Sequence, residues 1–269
     1  PAVNCGDAYD YVINAAHGYH IDSIYLDGAM NQSFTYSETN YDTTYTVTIN
    51  PVDADHVLDV FFSINTYTMH AENGANGTID PVGDSVLNHG ATIVYTVTPD
   101  DCYYISEVLV DDVDVLADDS TAFTYTFADV QEPHTIVANF AIYEYEMAET
   151  HTGNGTVSTA TVNCGDTYTY TITADQGWHI EEYTIAGTTV HFGNNDDNTA
   201  TYVISPARQD TSIDVVFAID TFDVTVCTAD GGTLVVNPAI VDYGSSCDVT
   251  ITAHSVNGYH IQTITCGSD

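Results

Sequence analysis

The chain has 269 residues, 39 Asp and Glu against a single basic side chain, Arg208, and a formal net charge of −38. A field of that sign repels phosphate backbones and anionic lipid, which excludes nucleic acid and membrane surfaces as partners and favours cations or a cationic partner. No apolar run approaches the ~20 residues that span a bilayer, and the opening "PAVNCGDAYD" carries neither the basic nor the apolar region of a secretory leader, so any leader is expected to have been removed already.

Taken in chain order, the elements recur. "VNCGDAYDYVIN" (3–14) returns as "LNHGATIVYTVT" (87–98), "VNCGDTYTYTIT" (162–173) and "VDYGSSCDVTIT" (241–252). Next comes "GYHI" (18–21), which returns as "CYYI" (102–105), "GWHI" (177–180) and "GYHI" (258–261). After Gly18 a strand opens, with Tyr19 and Ile21 expected inward and His20 outward. The spacing from Ile21 to Ile24 breaks the alternation as a β-bulge would. A closing strand then runs straight into an opening one: "VFFSINTYTM" (60–69), "ANFAIYEYEM" (138–147) and "VVFAIDTFDV" (215–224) align on Phe62, Phe140 and Phe217, at intervals of 78 and 77 residues. "ANGTID" (75–80), "GNGTVS" (153–158) and "DGGTLV" (230–235) follow as hairpin turns.

A period near 77 residues means tandem modules. Within each, alternation of period two dominates: Tyr168, Tyr170 and Ile172 face one way in "TYTYTIT", as do Phe123, Tyr125 and Phe127 in "FTYTF". The chain is therefore predicted to be all-β, a tandem array of small β-sandwich or β-grasp-like repeats, two complete (65–142 and 143–219) and two partial (1–64 and 220–269). Strands are expected near 67–71, 77–80, 91–98, 103–110, 122–128 and 134–142, with Val94, Val97, Ile105, Val108, Phe127, Ile136 and Phe140 facing inward. No Gly/Ser or Pro linker separates the repeats, so neighbours are expected to pack stiffly.

Candidate chemistry is sparse. His20, His179 and His260 lie a repeat apart, roughly 30–40 Å for strands of this length, too far to share one metal. Tyr104 replaces the histidine in the second copy, so the motif reads as architectural. His56 and His134 precede closing strands as turn or edge residues. Asp111, Asp112, Asp114, Asp118 and Asp119, with Asp196 and Asp197 in "NNDDN", are weak Ca²⁺ candidates, because calcium takes six to eight oxygens and no EF-hand-type loop is present. No nucleophile elbow, zinc-protease, P-loop or dinucleotide-binding glycine pattern occurs, and the paired carboxylates of a glycosidase do not converge on one place, so no enzyme is expected. "NGT" at 76–78 and 154–156 matches a glycosylation sequon but falls where a hairpin needs Asn-Gly. Trp178 belongs to the core slot of "GWHI", whereas Tyr36, Tyr41, Tyr45 and "YEYE" (143–146) are candidates for a sugar-stacking or subunit-packing face.

The six cysteines are far apart and form no CxxC, which in a lysine-free chain fits an oxidising compartment. Three fall in the fourth repeat, and one disulfide is expected there, Cys247 with Cys227 or Cys266; Cys5, Cys102 and Cys164, one per repeat, are candidates to link repeats or subunits.

The run "YTM…NGTIDP…NHGATIVYTVTPDDCYYISEVLVDD…FTYTFADVQEPHTIVANF" resembles the divergent InlB B-repeats of bacterial surface proteins, fitting at Asn76–Pro81, Gly90–Pro99, Gly18–Gly28 and Phe123–Phe140. "NCG" with "GYHI" is most similar to versions in large secreted proteins of Bacteroidota. The resemblance implies small all-β modules, an extracellular or cell-surface place, a surface or filament role, and no catalytic residues. Departures are local: "DDVDV" stands where the family turn expects Asp-Gly, and Arg208 falls in the usual His-containing stretch.

The expected function is a secreted structural repeat protein, a subunit of an extracellular filament or surface fibre; the alternative is an adhesin or glycan-binding stalk. Residue 3 aligns with 162 and Ile261 with Ile180, so the first repeat is expected to want an opening strand and the last its closing strands. Either identical subunits meet head to tail, through an interface formed by residues 1–15 and 220–269, or the native chain continues beyond these residues; cations or glycans are expected as further partners.

Overall fold

The computed structural model describes residues 2–33, 41, 43–226, 231–254 and 258–264. Among these every regular element is a strand, and no helix is long and apolar enough to cross a membrane. The chain divides into two compact units, Pro1–Tyr143 and Glu144–Asp269.

The first unit holds two repeats. The first contains β1 (Tyr9–Asn14), β2 (Tyr19–Leu26), β3 (Ala29–Ser33), β4 (Thr44–Ile49) and β5 (Leu58–Ile64). The second contains β6 (Thr66–Asn73), β7 (Gly77–Asp80), β8 (Gly83–Asn88), β9 (Ile93–Pro99), β10 (Tyr103–Val110), β11 (Val113–Asp114), β12 (Phe123–Phe127) and β13 (His134–Ile142). The second repeat shows the complete design. A five-stranded sheet, β11-β10-β13-β6-β8, faces a three-stranded one, β12-β9-β7. β13 and β6 run parallel and all other neighbours antiparallel. The core between the sheets contains Met69, Ile79, Tyr95, Val97, Ile105, Val108, Phe127 and Ile136.

The second unit repeats the plan with β14 (Glu144–Thr152), β15 (Gly155–Val157), β16 (Ala160–Asn163), β17 (Tyr168–Ala174), β18 (Trp178–Ile185), β19 (Thr188–His191), β20 (Thr199–Ile204) and β21 (Thr211–Ile219). Its sheets are β16-β14-β21-β18-β19 and β15-β17-β20, with β14 parallel to β21. There follow β22 (Thr221–Asp223), β23 (Gly232–Asn237), β24 (Ile240–Asp242) and β25 (Asp248–Ala253), paired as β22-β24 and β23-β25. No hydrophobic residue of these four strands is buried, and Val235, Ile240 and Val249 are exposed.

The expected bulge is present in the first three copies, as a register shift after Ile21, Ile105 and Ile180. Three expectations need correction. Tyr19, expected inward with Ile21, is 41% exposed, because it opens β2 at the end of the sheet, across from Ile64 and outside the first core. Val94 is 50% exposed and Tyr95 takes the inward place, because Ile93, Tyr95 and Val97 share one face of β9 and Val94 has the opposite parity. His20 and His179 are buried, not solvent-facing. They do point away from the sandwich core, but the chain that leads into the next repeat covers them.

Candidate functional site

Two contact sets recur in the repeats: a phenylalanine packed on a glycine, and a joint between consecutive repeats. Phe140 on β13 and Phe217 on β21 lie against Gly77 and Gly155, the glycines of the two "NGT" turns. A Cβ built on Gly77 would sit 2.3 Å from the Phe140 ring, and one on Gly155 would sit 2.4 Å from that of Phe217. Gly is thus required there by close approach of an aromatic ring, while the turn's left-handed residue is Asn76, at φ +74°. The ring staples the hairpin to the parallel β13–β6 or β21–β14 pair.

The first repeat shows the same apparatus half-assembled. Its sheets are β3-β2-β5 and β1-β4, so among the described residues β5 pairs only with β2, whereas its counterparts β13 and β21 have neighbours on both sides. Phe62 is 44% exposed where Phe217 is 3% exposed. The four strands from β22 onward are the converse: among the described residues β22 pairs with β24 alone, and Gly232, in the slot of Gly77 and Gly155, meets no phenylalanine.

Between consecutive repeats within a unit, one residue bonds the main chain on both sides. Asn65 donates its N–H to the Gly18 carbonyl (2.8 Å) and accepts from the His89 N–H (2.8 Å). Asp220 does the same with Gly177 (2.9 Å) and Tyr243 (2.8 Å). The ring of His89 packs on Gly18 and that of Tyr243 on Gly177, so closely that a Cβ on either glycine would lie within 2.4 Å of ring atoms. This is where the "GYHI" histidines go. His20 Nδ1 is 2.9 Å from Asn65 Oδ1, with the Tyr41 ring 5.0 Å away. His179 Nδ1 is 2.9 Å from Asp220 Oδ1, and its Nε2 is 3.4 Å from Glu181 Oε2. In the second repeat Tyr104 lies 5.0 Å from Tyr143, whose N–H donates to the Cys102 carbonyl. His260 is exposed and outside any strand. The histidines therefore serve joints, which local alternation could not reveal because their partners lie 45 and 41 residues away.

The tyrosine candidates do not form a common platform. Tyr41 donates to the Thr66 carbonyl and packs beside Tyr67, Tyr45 covers the first core, and Tyr145 and Trp178 cover the third. Tyr36 lies outside the described residues.

Nor do the aspartates converge. Asp111 accepts from the Thr135 N–H (2.8 Å) and faces His134 Nδ1 (2.7 Å); Asp27 repeats this with Val57 and His56. The His56 hydrogen bond, then the Val57 N–H, hold the Asp27 carboxyl below its ordinary range. His56 and His134 thus clasp the turns before β5 and β13. Asp114 caps Val108 and Leu116 N–H groups, and Asp197 caps that of Asn194. Asp112, Asp118, Asp119 and Asp196 are exposed, and no group of three or more His, Cys, Asp or Glu that could hold a metal occurs among the described residues.

Cys102 and Cys164 are each disulfide-bonded, while Cys5 and Cys247 carry free thiols. Cys247 is therefore not in the expected bridge; Cys227 and Cys266 lie outside the described residues. Cys102 occupies the slot of Gly18 and Gly177 and keeps their left-handed backbone, at φ +71°, which a non-glycine residue seldom adopts.

Two-sheet sandwiches repeated along one chain, the second and third each locked by a parallel strand pair and a phenylalanine on a glycine, define an all-β tandem-repeat protein. The chain belongs to the divergent InlB B-repeat domain family, whose model matches residues 67–144 and 145–221, more than half of its length. Comparison with curated proteins and with solved structures gave no significant match. Domains of this family are typical of surface or secreted bacterial proteins.

Proposed function

We propose that this chain is a non-catalytic structural module array of an extracellular or cell-surface protein, and that copies assemble head to tail through β-strand contacts into a filament. The observation that carries this is the pair of complementary half-sites. Among the described residues β5 has an unpaired edge and an uncovered Phe62, and β22 leaves free the edge that takes a parallel closing strand in complete repeats, with no ring on Gly232. Unpaired strand edges beside exposed apolar surface recruit strands from elsewhere. A contact between two different surfaces of the same chain that does not close on itself yields a fibre. With 39 acidic residues per copy, assembly is favoured by cations that screen the repulsion.

The test uses two variants. Phe62→Ala removes the ring, and Gly232→Val blocks its seat. Wild-type protein is expected to polymerise in electron micrographs, and each variant alone to stay monomeric. An equimolar mixture should form heterodimers only, because one intact junction is available per pair. Monodisperse wild-type monomers at every concentration would overturn the proposal. If those monomers were retained on immobilised glycans, a binding-stalk role would replace it.

A further inference from the structure

The solvent face of the first repeat's larger sheet carries a groove of about 420 Å³ lined by Asp22, Ser23, Tyr25, Gly28, Asp59 and Phe61. Its construction follows from register. Tyr25 lies directly across from Asp59 and Ser23 from Phe61, while the bulge after Ile21 inserts Asp22 beside them. The Tyr25 and Phe61 rings stand 5.8 Å apart at 82°. We propose that this groove binds a lysine or arginine side chain of a basic partner protein.

Three observations lead there. First, the fold does not require the aromatic pair. The positions equivalent to Tyr25 and Phe61 are Leu109 and Asn139 in the second repeat, and Thr184 and Val216 in the third, on identical strand pairings. Phe61 is 54% exposed, so core packing does not explain a ring there either.

Second, the carboxylates are exposed and lack a cationic neighbour among the described residues. Asp22 accepts only a long hydrogen bond, 3.4 Å, from its neighbour Ser23. Two aromatic rings and two carboxylates on one groove suit an ammonium or guanidinium group, which is attracted to ring faces and forms charge-assisted hydrogen bonds to carboxylates. Two carboxylates are too few for calcium, which takes six to eight oxygens.

Third, the chain supplies no such group itself. It contains no lysine and a single arginine, Arg208, whose guanidinium lies 3.6 Å from the Cys164 sulfur. A second copy is therefore a poor occupant. The net charge of −38 concentrates cationic partners at the surface, and the groove gives one side chain a defined seat. The groove lies on a sheet face, whereas strand pairing at β5 uses the sheet edge, so the two contacts do not compete.

The experiment separates a seat from diffuse attraction to a polyanion. Tetralysine and its fully acetylated counterpart are titrated into the whole protein while the Tyr25 and Phe61 ring resonances are followed by NMR. Tetralysine is expected to shift both rings and the acetylated peptide neither. The double variant Tyr25→Thr/Phe61→Asn, which installs residues found at equivalent positions of other repeats, keeps the net charge. It is expected to bind tetralysine about fivefold to tenfold more weakly, the size of one or two exposed cation–π contacts. Asp22→Asn/Asp59→Asn should weaken binding with both rings present. Equal affinity of the aromatic variant would overturn the seat, as would ring shifts with the acetylated peptide or with neutral sugars in place of tetralysine. Circular dichroism confirms that each variant is folded.

Discussion

Gly155→Ala tests the phenylalanine staple directly. The added Cβ would sit 2.4 Å from Cζ of Phe217, a ring only 3% exposed and enclosed by the third repeat's core. Carbon atoms rest about 3.5–4.0 Å apart, so the ring must retreat by about 1 Å into a packed interior. Overpacking of this kind costs about 1–3 kcal/mol. Replacing glycine also narrows the unfolded ensemble, which returns about 0.4–1 kcal/mol. The net expectation is a loss of about 1–2 kcal/mol, a five- to thirtyfold fall in the folded-to-unfolded ratio. Trp178 is the only tryptophan and packs on this core, so urea unfolding followed by its fluorescence reports this repeat. With a urea slope of about 1–3 kcal/mol/M, the midpoint should drop by about 0.5–1 M. Phe217→Leu removes the colliding ring, so the double variant should cost less than the two single changes together, by about 1 kcal/mol. Gly187→Ala, where an added Cβ meets open space, should show no such coupling. An unchanged or raised midpoint for Gly155→Ala, or strict additivity with Phe217→Leu, would refute the staple.

Tyr170 is buried with its hydroxyl between the Ala148 and Thr211 carbonyls, at 3.0 and 2.8 Å, and burial, aided by Tyr168, pushes its pKa up to about 12. The raised folded value means its contribution is intact below the ordinary phenol range near ~10 and fades as pH rises through about 12; Tyr170→Phe should lose about 1 kcal/mol at neutral pH and show a flatter alkaline limb in urea titrations. For Asp111, burial is the largest single influence and acts upward, but the Thr135 N–H and His134 together hold its pKa below the ordinary value. Its contribution is therefore complete above ~3.9 and lost as pH falls through the lower folded value, so Asp111→Asn should flatten the acid limb of stability against pH, and an identical acid limb would exclude the clasp. Thiol labelling of unreduced protein should modify Cys5 and Cys247 and spare Cys102 and Cys164; modification of either of the latter before reduction would contradict their bonded state.

What the sequence revealed and what it hid divide by range of interaction. Alternation in "TYTYTIT" identified β17 and its inward Tyr170 and Ile172 because one strand face is a local property. The bulge was legible for the same reason, since Ile21 and Ile24 are both fully buried three positions apart. β8 was not, because "GDSVLN" carries only Val86 and Leu87 as apolar residues and Val86 is exposed. Strand phase failed at Val94, where "TIVYTVT" places apolar residues at both parities. The roles of His20 and His179 depended on partners in the joint, and that of Gly77 on a ring 63 residues downstream, which no window of local pattern contains.

The repeats separate two kinds of position. Backbone relations are constant: the residue after each closing strand donates its N–H back to the turn that opens β2, β10 or β18, at Asn65, Tyr143 and Asp220, and the bulge returns after the same isoleucine. Side chains in the joint slots differ, from His20 with Asn65 through Tyr104 with Tyr143 to His179 with Asp220. So do those on the outer sheet face, where Tyr25 and Phe61 give way to Leu109 and Asn139 and then to Thr184 and Val216. Main-chain bonds and ring-on-glycine contacts fix the sandwich without specifying what these slots hold, so substitutions on the outer face change the surface at little cost to the fold. Distinct binding properties among repeats of this chain should therefore map to the outer face and the joints. Loss of the frame should follow only from changes to the phenylalanine, the glycine it covers, or the core between the sheets.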